Sequence, residues 1–231
     1  MWEKKGLDEL DSRIPLLIRV PWMHASSSGV RTSAFAEAVD WMPTLIELAG
    51  LPPCVELGDT NGISLVPVLR DPPLNGTGVK RYAFSQFPRC NCTYESSALD
   101  TLNGTCVSEY ENLWTNQTGP KGAGNNHVCL FTPAAEFNWM GYSIRAELYR
   151  YTLFVDWNGL ALRPVWGSVQ SEELYGEKDL SMDFDSATFS EPVNLLAIHP
   201  VGAQAQRAVA ELRPALIRHF SRDGDDSSGY L

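Results

Sequence analysis

Long apolar runs are absent from this 231-residue chain, and so is any excess of basic residues. No stretch approaches the roughly 18 consecutive apolar residues that span a bilayer, so no transmembrane segment is expected. The opening MWEKKGLDEL has no apolar h-region and, as written, carries no signal peptide. With 18 Lys plus Arg against 28 Asp plus Glu, the formal charge of −10 lacks the basic surface on which general nucleic-acid binding rests. An anionic substrate would need a local basic pocket. Histidine is scarce too. His24, His127, His199 and His219 are scattered without metal-ligand spacing, and each reads as a loop or helix-surface residue.

What is present argues for a folded globule. The apolar fraction is 44%, with 7 Trp, 8 Tyr and 9 Phe, and the length allows one large domain or two small ones. The clearest pattern is MGYSIRAELYRYTLFV at 140–155. Met140, Tyr142 and Ile144 alternate with Gly141, Ser143 and Arg145, and Tyr149, Tyr151, Leu153 and Val155 alternate with Arg150, Thr152 and Phe154. Alternation of period two predicts a β-hairpin with one apolar face, which another element must cover. Residues 203–220 supply that cover as a helix, with Ala205, Val209, Leu212, Leu216 and Phe220 on one side and a kink expected at Pro214. A third strand is expected at 81–87, where Tyr82 and Phe84 share a side, and a further one after a turn within 157–166.

Earlier in the chain, residues 14–20 form a short apolar run bounded by Pro15 and Pro21, as in a strand of a mostly parallel sheet. Asp40, Pro43 and Gly50 mark the start and stop of a helix through Leu48, with Leu45, Leu48 and Ala49 as its apolar face. Ser64 caps a second, shorter helix ending near Asp71. DPPLNGT at 71–77 excludes regular structure and marks the boundary between the two parts of the chain.

Four of the five cysteines, Cys90, Cys92, Cys106 and Cys129, share one stretch with sequons at Asn91, Asn103 and Asn116, and another sequon lies at Asn75. Chance alone produces such sequons in a segment rich in Asn, Gly and Thr, but their coincidence with clustered cysteines favours a glycosylated secretory-pathway loop. Cys-x-Cys followed by widely separated single cysteines does not match structural zinc spacing, and two disulfides fit better, in a pairing the spacing leaves open. Cys54 is left as a lone thiol or bonded outside this chain.

Several blocks in order resemble the C-terminal subdomain of sulfatases of the iduronate-2-sulfatase type: SQFPR at 85–89, MGYSIR at 140–145, YRYT at 149–152 and ELY at 173–175. WEKK at 2–5, IPLLIRVP at 14–21, the helix around 40–50, GISLVPVLRD at 62–71 and EPVNLLA at 191–197 extend the resemblance over nearly the whole chain apart from 89–139 and the final residues. It implies an α/β fold, the C-terminal part of the alkaline-phosphatase-like sulfatase fold, with a small antiparallel sheet subdomain packed by a C-terminal helix. Residues 1–72 would end the catalytic α/β domain, 73–220 would form the sheet subdomain with a disulfide-rich insertion at 89–139, and 221–231 a flexible tail. The location implied is lysosomal or extracellular.

In that family a formylglycine made from the Cys of C-x-P-x-R works beside a calcium ion held by paired Asp residues. PRCNC at 88–92 is not that motif, and Asp225 and Asp226 lie in a Gly/Ser tail where solvated charge is the ordinary reading. The nucleophile and metal ligands are therefore expected from upstream sequence, a missing N-terminal sulfatase portion. Lys4, in WEK, matches the family's sulfate-contacting lysine and is the one catalytic residue carried over. An ammonium there offsets charge that grows on the transferring group. Lys5 next to it is a substrate-binding candidate, although iduronate-type enzymes show an aromatic there. Lys121, the only Lys or Arg in the long 90–138 connection, is another; a solvated loop lysine is the plainer alternative. Arg145 and Arg150 either reach an anionic sugar or pair with carboxylates. Two functions follow: part of a sulfatase acting on sulfated saccharides such as glycosaminoglycans and inactive alone, or a non-catalytic glycan-binding module on the same scaffold.

Overall fold

The computed structural model describes residues 6–23, 29–52, 62–72, 78–89, 133–176 and 193–221. They form a mixed helix and strand structure whose centre is a four-stranded antiparallel sheet, in the order β1 (Ala83–Arg89), β2 (Trp139–Arg145), β3 (Tyr149–Asn158), β4 (Arg163–Gly176). The hairpin read from period-two alternation is β2–β3, with Tyr142 opposite Leu153 and Ile144 opposite Tyr151. Their shared face is the core. Tyr142, Ile144, Tyr151, Leu153, Val155 and Leu174 are almost fully buried there, together with Trp166.

A single helix, Ala203–Phe220, covers that face through Ala205, Ala208, Leu212, Leu216 and Ile217 and continues past Pro214 as one element. It is the last of four α-helices among the described residues; the others are α1 (Glu9–Ser12), α2 (Trp41–Leu48) and α3 (Val66–Arg70), so it is α4 here. At about 0.8 kcal/mol per buried methylene, the leucines and the β2–β3 face carry most of the hydrophobic stabilisation. The Trp166 indole N–H is the one buried side-chain polar atom without a partner among the described residues.

The other sheet face is polar yet also buried. Ser143, Thr152 and Arg150 lie there at 0%, 2% and 4% exposure, because residues 7–12 cross over it with Leu7 and Glu9 inward. Gly141 is required at this crossing: a Cβ would fall 2.6 Å from Phe154 Cε1 and 2.7 Å from Leu7 Cδ1. Where β3 meets β4 the register slips between Phe154 and Asp156. Asp156 splints that irregularity by accepting from Ser168 Oγ and from Gln170 Nε2 at 2.6 Å.

Three expectations need correction. Residues 14–20 are not a strand; Ile14, Leu16, Leu17 and Ile18 stay 39–90% exposed, and among the described residues no strand precedes Ala83 to pair with them. The α2 boundaries hold and Gly50 takes φ +65°, but Leu45 is 65% exposed and the buried face is built on Thr44. Thr44 Oγ1 donates to Asp40 O at 2.6 Å and accepts from Leu65 N at 2.9 Å, which pins the start of α3 to α2. Lastly, the strand expected within 157–166 starts at Arg163 and runs on to Gly176, taking in Glu172, Glu173, Leu174 and Tyr175.

Candidate functional site

Lys4, Lys5, Lys121, Cys90, Cys92, Cys106, Cys129, Asn75, Asn91, Asn103 and Asn116, singled out from sequence for catalytic, substrate, disulfide or glycan roles, lie outside the described residues; Arg145 and Arg150, weighed as sugar contacts or carboxylate partners, lie within them. Two buried charge clusters that sequence reading did not assemble stand in the described part.

The first lies on the polar face of the sheet. Register puts Arg145 directly opposite Arg150, two like charges that need a shared counter-ion. Glu9 is that ion: its Oε1 accepts from Arg145 Nε at 2.9 Å and from Arg150 Nε at 3.0 Å and Nη2 at 2.5 Å. Arg150 Nη1 also donates to Leu7 O and to Ser143 Oγ, each at 3.1 Å, and Thr152 Oγ1 donates to Ser143 Oγ at 3.0 Å. Glu9 and Arg150 side chains are only 7% and 5% exposed. Pairing with a carboxylate is thus what both arginines do. Burial lowers the Arg145 pKa, and Glu9 opposes the shift. The cluster fastens residues 7–12 to the sheet.

Next along this face, Glu173 accepts from Tyr175 Oη at 3.2 Å, and burial raises its pKa from 4.5 against that hydrogen bond and the pull of Arg89. An acid whose folded pKa is raised stabilises the fold in its protonated form. The contribution is complete below the unfolded carboxylate pKa and is lost as pH rises through the higher folded value. Glu173→Gln is therefore expected to flatten the decline in stability just above pH 4.5, checked by urea denaturation across that range. An unchanged slope would refute the assignment.

The second cluster joins the helical segments to the sheet. Asp40 is fully buried, and its carboxylate does not cap α2. Instead Oδ2 accepts from Glu37 N at 2.8 Å, while Oδ1 accepts from Ile63 N at 2.9 Å and from Lys80 Nζ at 2.7 Å. Lys80 also pairs with Glu37 Oε2, and Glu37 Oε1 accepts from Phe84 N of β1 at 2.8 Å. Above them opens a shallow recess of about 270 Å3, walled by Ile63, Arg81, Tyr82, Phe84 and His219. Its aromatic faces are already in use. His219 stacks on Phe84 at 3.6 Å and 2°, and Arg81 sits over Tyr82 at 5.2 Å while pairing with Glu211 at 2.6 Å. Burial lowers the His219 pKa, with Glu37 opposing and Lys80 adding to it.

Lys80, Glu37 and Asp40 satisfy one another within this cluster. Among the described residues no three His, Cys, Asp or Glu side chains group as metal ligands, and the described residues do not fit the calcium ion that the family resemblance implies. These clusters escaped sequence reading because their members are far apart in the chain. Only Asp40 carried a local signal, and that signal pointed to capping.

No protein-family model and no curated protein matches the chain. Among solved structures, a crystal structure of a candidate sulfatase from Bacteroides thetaiotaomicron is similar at 21% identity over 83% of this chain, with a TM-score of 0.38. The chain spans 26% of that chain's length.

Proposed function

We propose that this chain is the C-terminal portion of a sulfatase of the iduronate-2-sulfatase type, supplying support and charge stabilisation to an enzyme that hydrolyses sulfate esters of sulfated sugars. One observation carries the reading. SQFPR, MGYSIR, YRYT and ELY, which resemble that family's blocks in order, fall on β1, β2, β3 and β4, consecutive neighbours in one sheet. Blocks drawn together by chance would have no reason to occupy one strand each of a single sheet. The helix blocks agree as well, since the segments around α2 and α3 are locked together through Thr44 and Asp40.

Within this reading Lys4 offers its ammonium to the sulfate, and Lys5 and Lys121 meet the saccharide. Formylglycine and calcium chemistry belong to sequence other than these 231 residues, which contain no C-x-P-x-R motif. The sequons and clustered cysteines support a glycosylated protein of the lysosome or extracellular space.

The isolated chain is expected to show no hydrolysis of p-nitrocatechol sulfate with calcium present, because charge stabilisation without a nucleophile leaves the chemical step unaided. Turnover by the purified chain would overturn the division of labour. The rival reading, a glycan-binding module, makes a different forecast: saturable binding of heparan or dermatan sulfate oligosaccharides by the chain alone, read by calorimetry.

A further inference from the structure

We propose that Arg150 is a positioning residue for Lys4, fixing on the sheet the backbone that leads to it; this rests on the reading of Lys4 as the sulfate-contacting residue. Residues 7–12 lie as a strap across the polar face of β2 and β3, and the Arg150 guanidinium holds that strap at two points. Its Nη1 donates to the backbone carbonyl of Leu7 at 3.1 Å, while Nε and Nη2 donate to Glu9 Oε1 at 3.0 and 2.5 Å. The Leu7 side chain is buried against Gly141, where an added Cβ would fall 2.7 Å from Leu7 Cδ1. Gly6 is equally confined, since a Cβ there would fall 2.2 Å from Asp11 Oδ2. At roughly 3.3–3.6 Å per residue, the two-residue step from Gly6 to Lys4 covers at most about 7 Å. What holds Leu7 and Gly6 therefore bounds where the Lys4 backbone can be.

The chemistry of the fastening suits placement better than it suits stability. A buried ion pair adds little net stability over apolar packing of the same volume. It is directional, however, and a slip of one residue along the strap would carry both the Leu7 carbonyl and the Glu9 carboxylate away from the guanidinium fork. The fork is itself fixed from the sheet side. Nη1 also donates to Ser143 Oγ, and Ser143 Oγ in turn accepts from Thr152 Oγ1. Lysine at position 150 would keep a positive charge for Glu9, but its donors sit on a single nitrogen and cannot serve Glu9, Leu7 and Ser143 in this geometry.

Two measurements decide the matter. In the 231-residue chain, trypsin cleavage of the Lys5–Gly6 bond under native conditions reads release of the strap, because the protease needs residues on both sides of the bond free of the sheet. Arg150→Lys should speed that cleavage by about tenfold, and an unchanged rate overturns the proposal. In the sulfatase that contains the chain, Arg150→Lys should lower kcat by about tenfold to a hundredfold, with KM far less changed. Because Arg150 acts through Lys4, adding Arg150→Lys to Lys4→Ala should lower kcat no further.

Falls in kcat that multiply in the double variant would show that Arg150 supports the fold and not Lys4, and would overturn the proposal while leaving the reading of Lys4 intact. A kcat indifferent to Lys4→Ala overturns that reading and this inference with it, so the two failures are told apart. If Arg150→Lys does not fold, Leu7→Ala takes its place, since it loosens the strap without altering a charge. The same fall in kcat, absent in the Lys4→Ala background, is then required.

Discussion

Glu9→Ala is expected to destabilise the fold by about 3–5 kcal/mol, because it strands the buried Arg150 guanidinium and the half-buried Arg145 guanidinium that faces it across β2 and β3. The magnitude follows from position, not from the count of ion pairs. The Arg81–Glu211 pair is 74% and 52% exposed, and breaking it is expected to cost under about 1 kcal/mol. Glu9 is 7% exposed and is the carboxylate that Arg145 and Arg150 share. Its loss also releases residues 7–12 from the polar face, leaving Ser143 and Thr152 to water. Adding Arg145→Met should recover part of the loss by removing the surplus cation. Urea denaturation of the single and double variants checks this; a Glu9→Ala cost below about 1 kcal/mol would show that the cluster is not a structural fastening.

The second large effect concerns catalysis. In the sulfatase that we propose contains this chain, Lys4→Ala should lower kcat by roughly 10²–10³, as removal of a transition-state charge donor does elsewhere. KM should change far less, since the sulfate charge redistributes mainly as the ester bond breaks. The unfolding midpoint is the control. Loss of stability with kcat retained would make Lys4 a structural residue and remove the one catalytic assignment.

How much of this was legible in sequence depends on whether the signal was local. The β2–β3 hairpin and the α4 helix were, because period-two alternation at 140–155 and the apolar stripe at Ala205, Leu212 and Leu216 each declare their own geometry. The ends of α2 were legible from Asp40, Pro43 and Gly50. The run at 14–20 has the composition of a buried strand but no partner among the described residues, so composition misled. The end of β4 was hidden by Glu172 and Glu173. Glu172 is useful there only because Tyr151 Oη donates to it and Arg213 lies 3.6 Å away, partners 21 and 41 positions distant. Burial pushes the Tyr151 phenol well above its ordinary range, with Glu172 adding to it, so that hydroxyl stays a donor. The charge clusters were illegible for the same reason. Glu9 meets Arg150 across 141 positions, and a lone glutamate in a polar opening segment carries no sign of its partner.

The most direct test of the sulfatase reading is to purify, from its native source, the polypeptide that carries these residues and to assay it on a 2-sulfated iduronate substrate. The reading predicts calcium-dependent sulfate release that co-purifies with the polypeptide and is abolished by borohydride reduction of an aldehyde. A pure native polypeptide that binds sulfated oligosaccharides but releases no sulfate would contradict it.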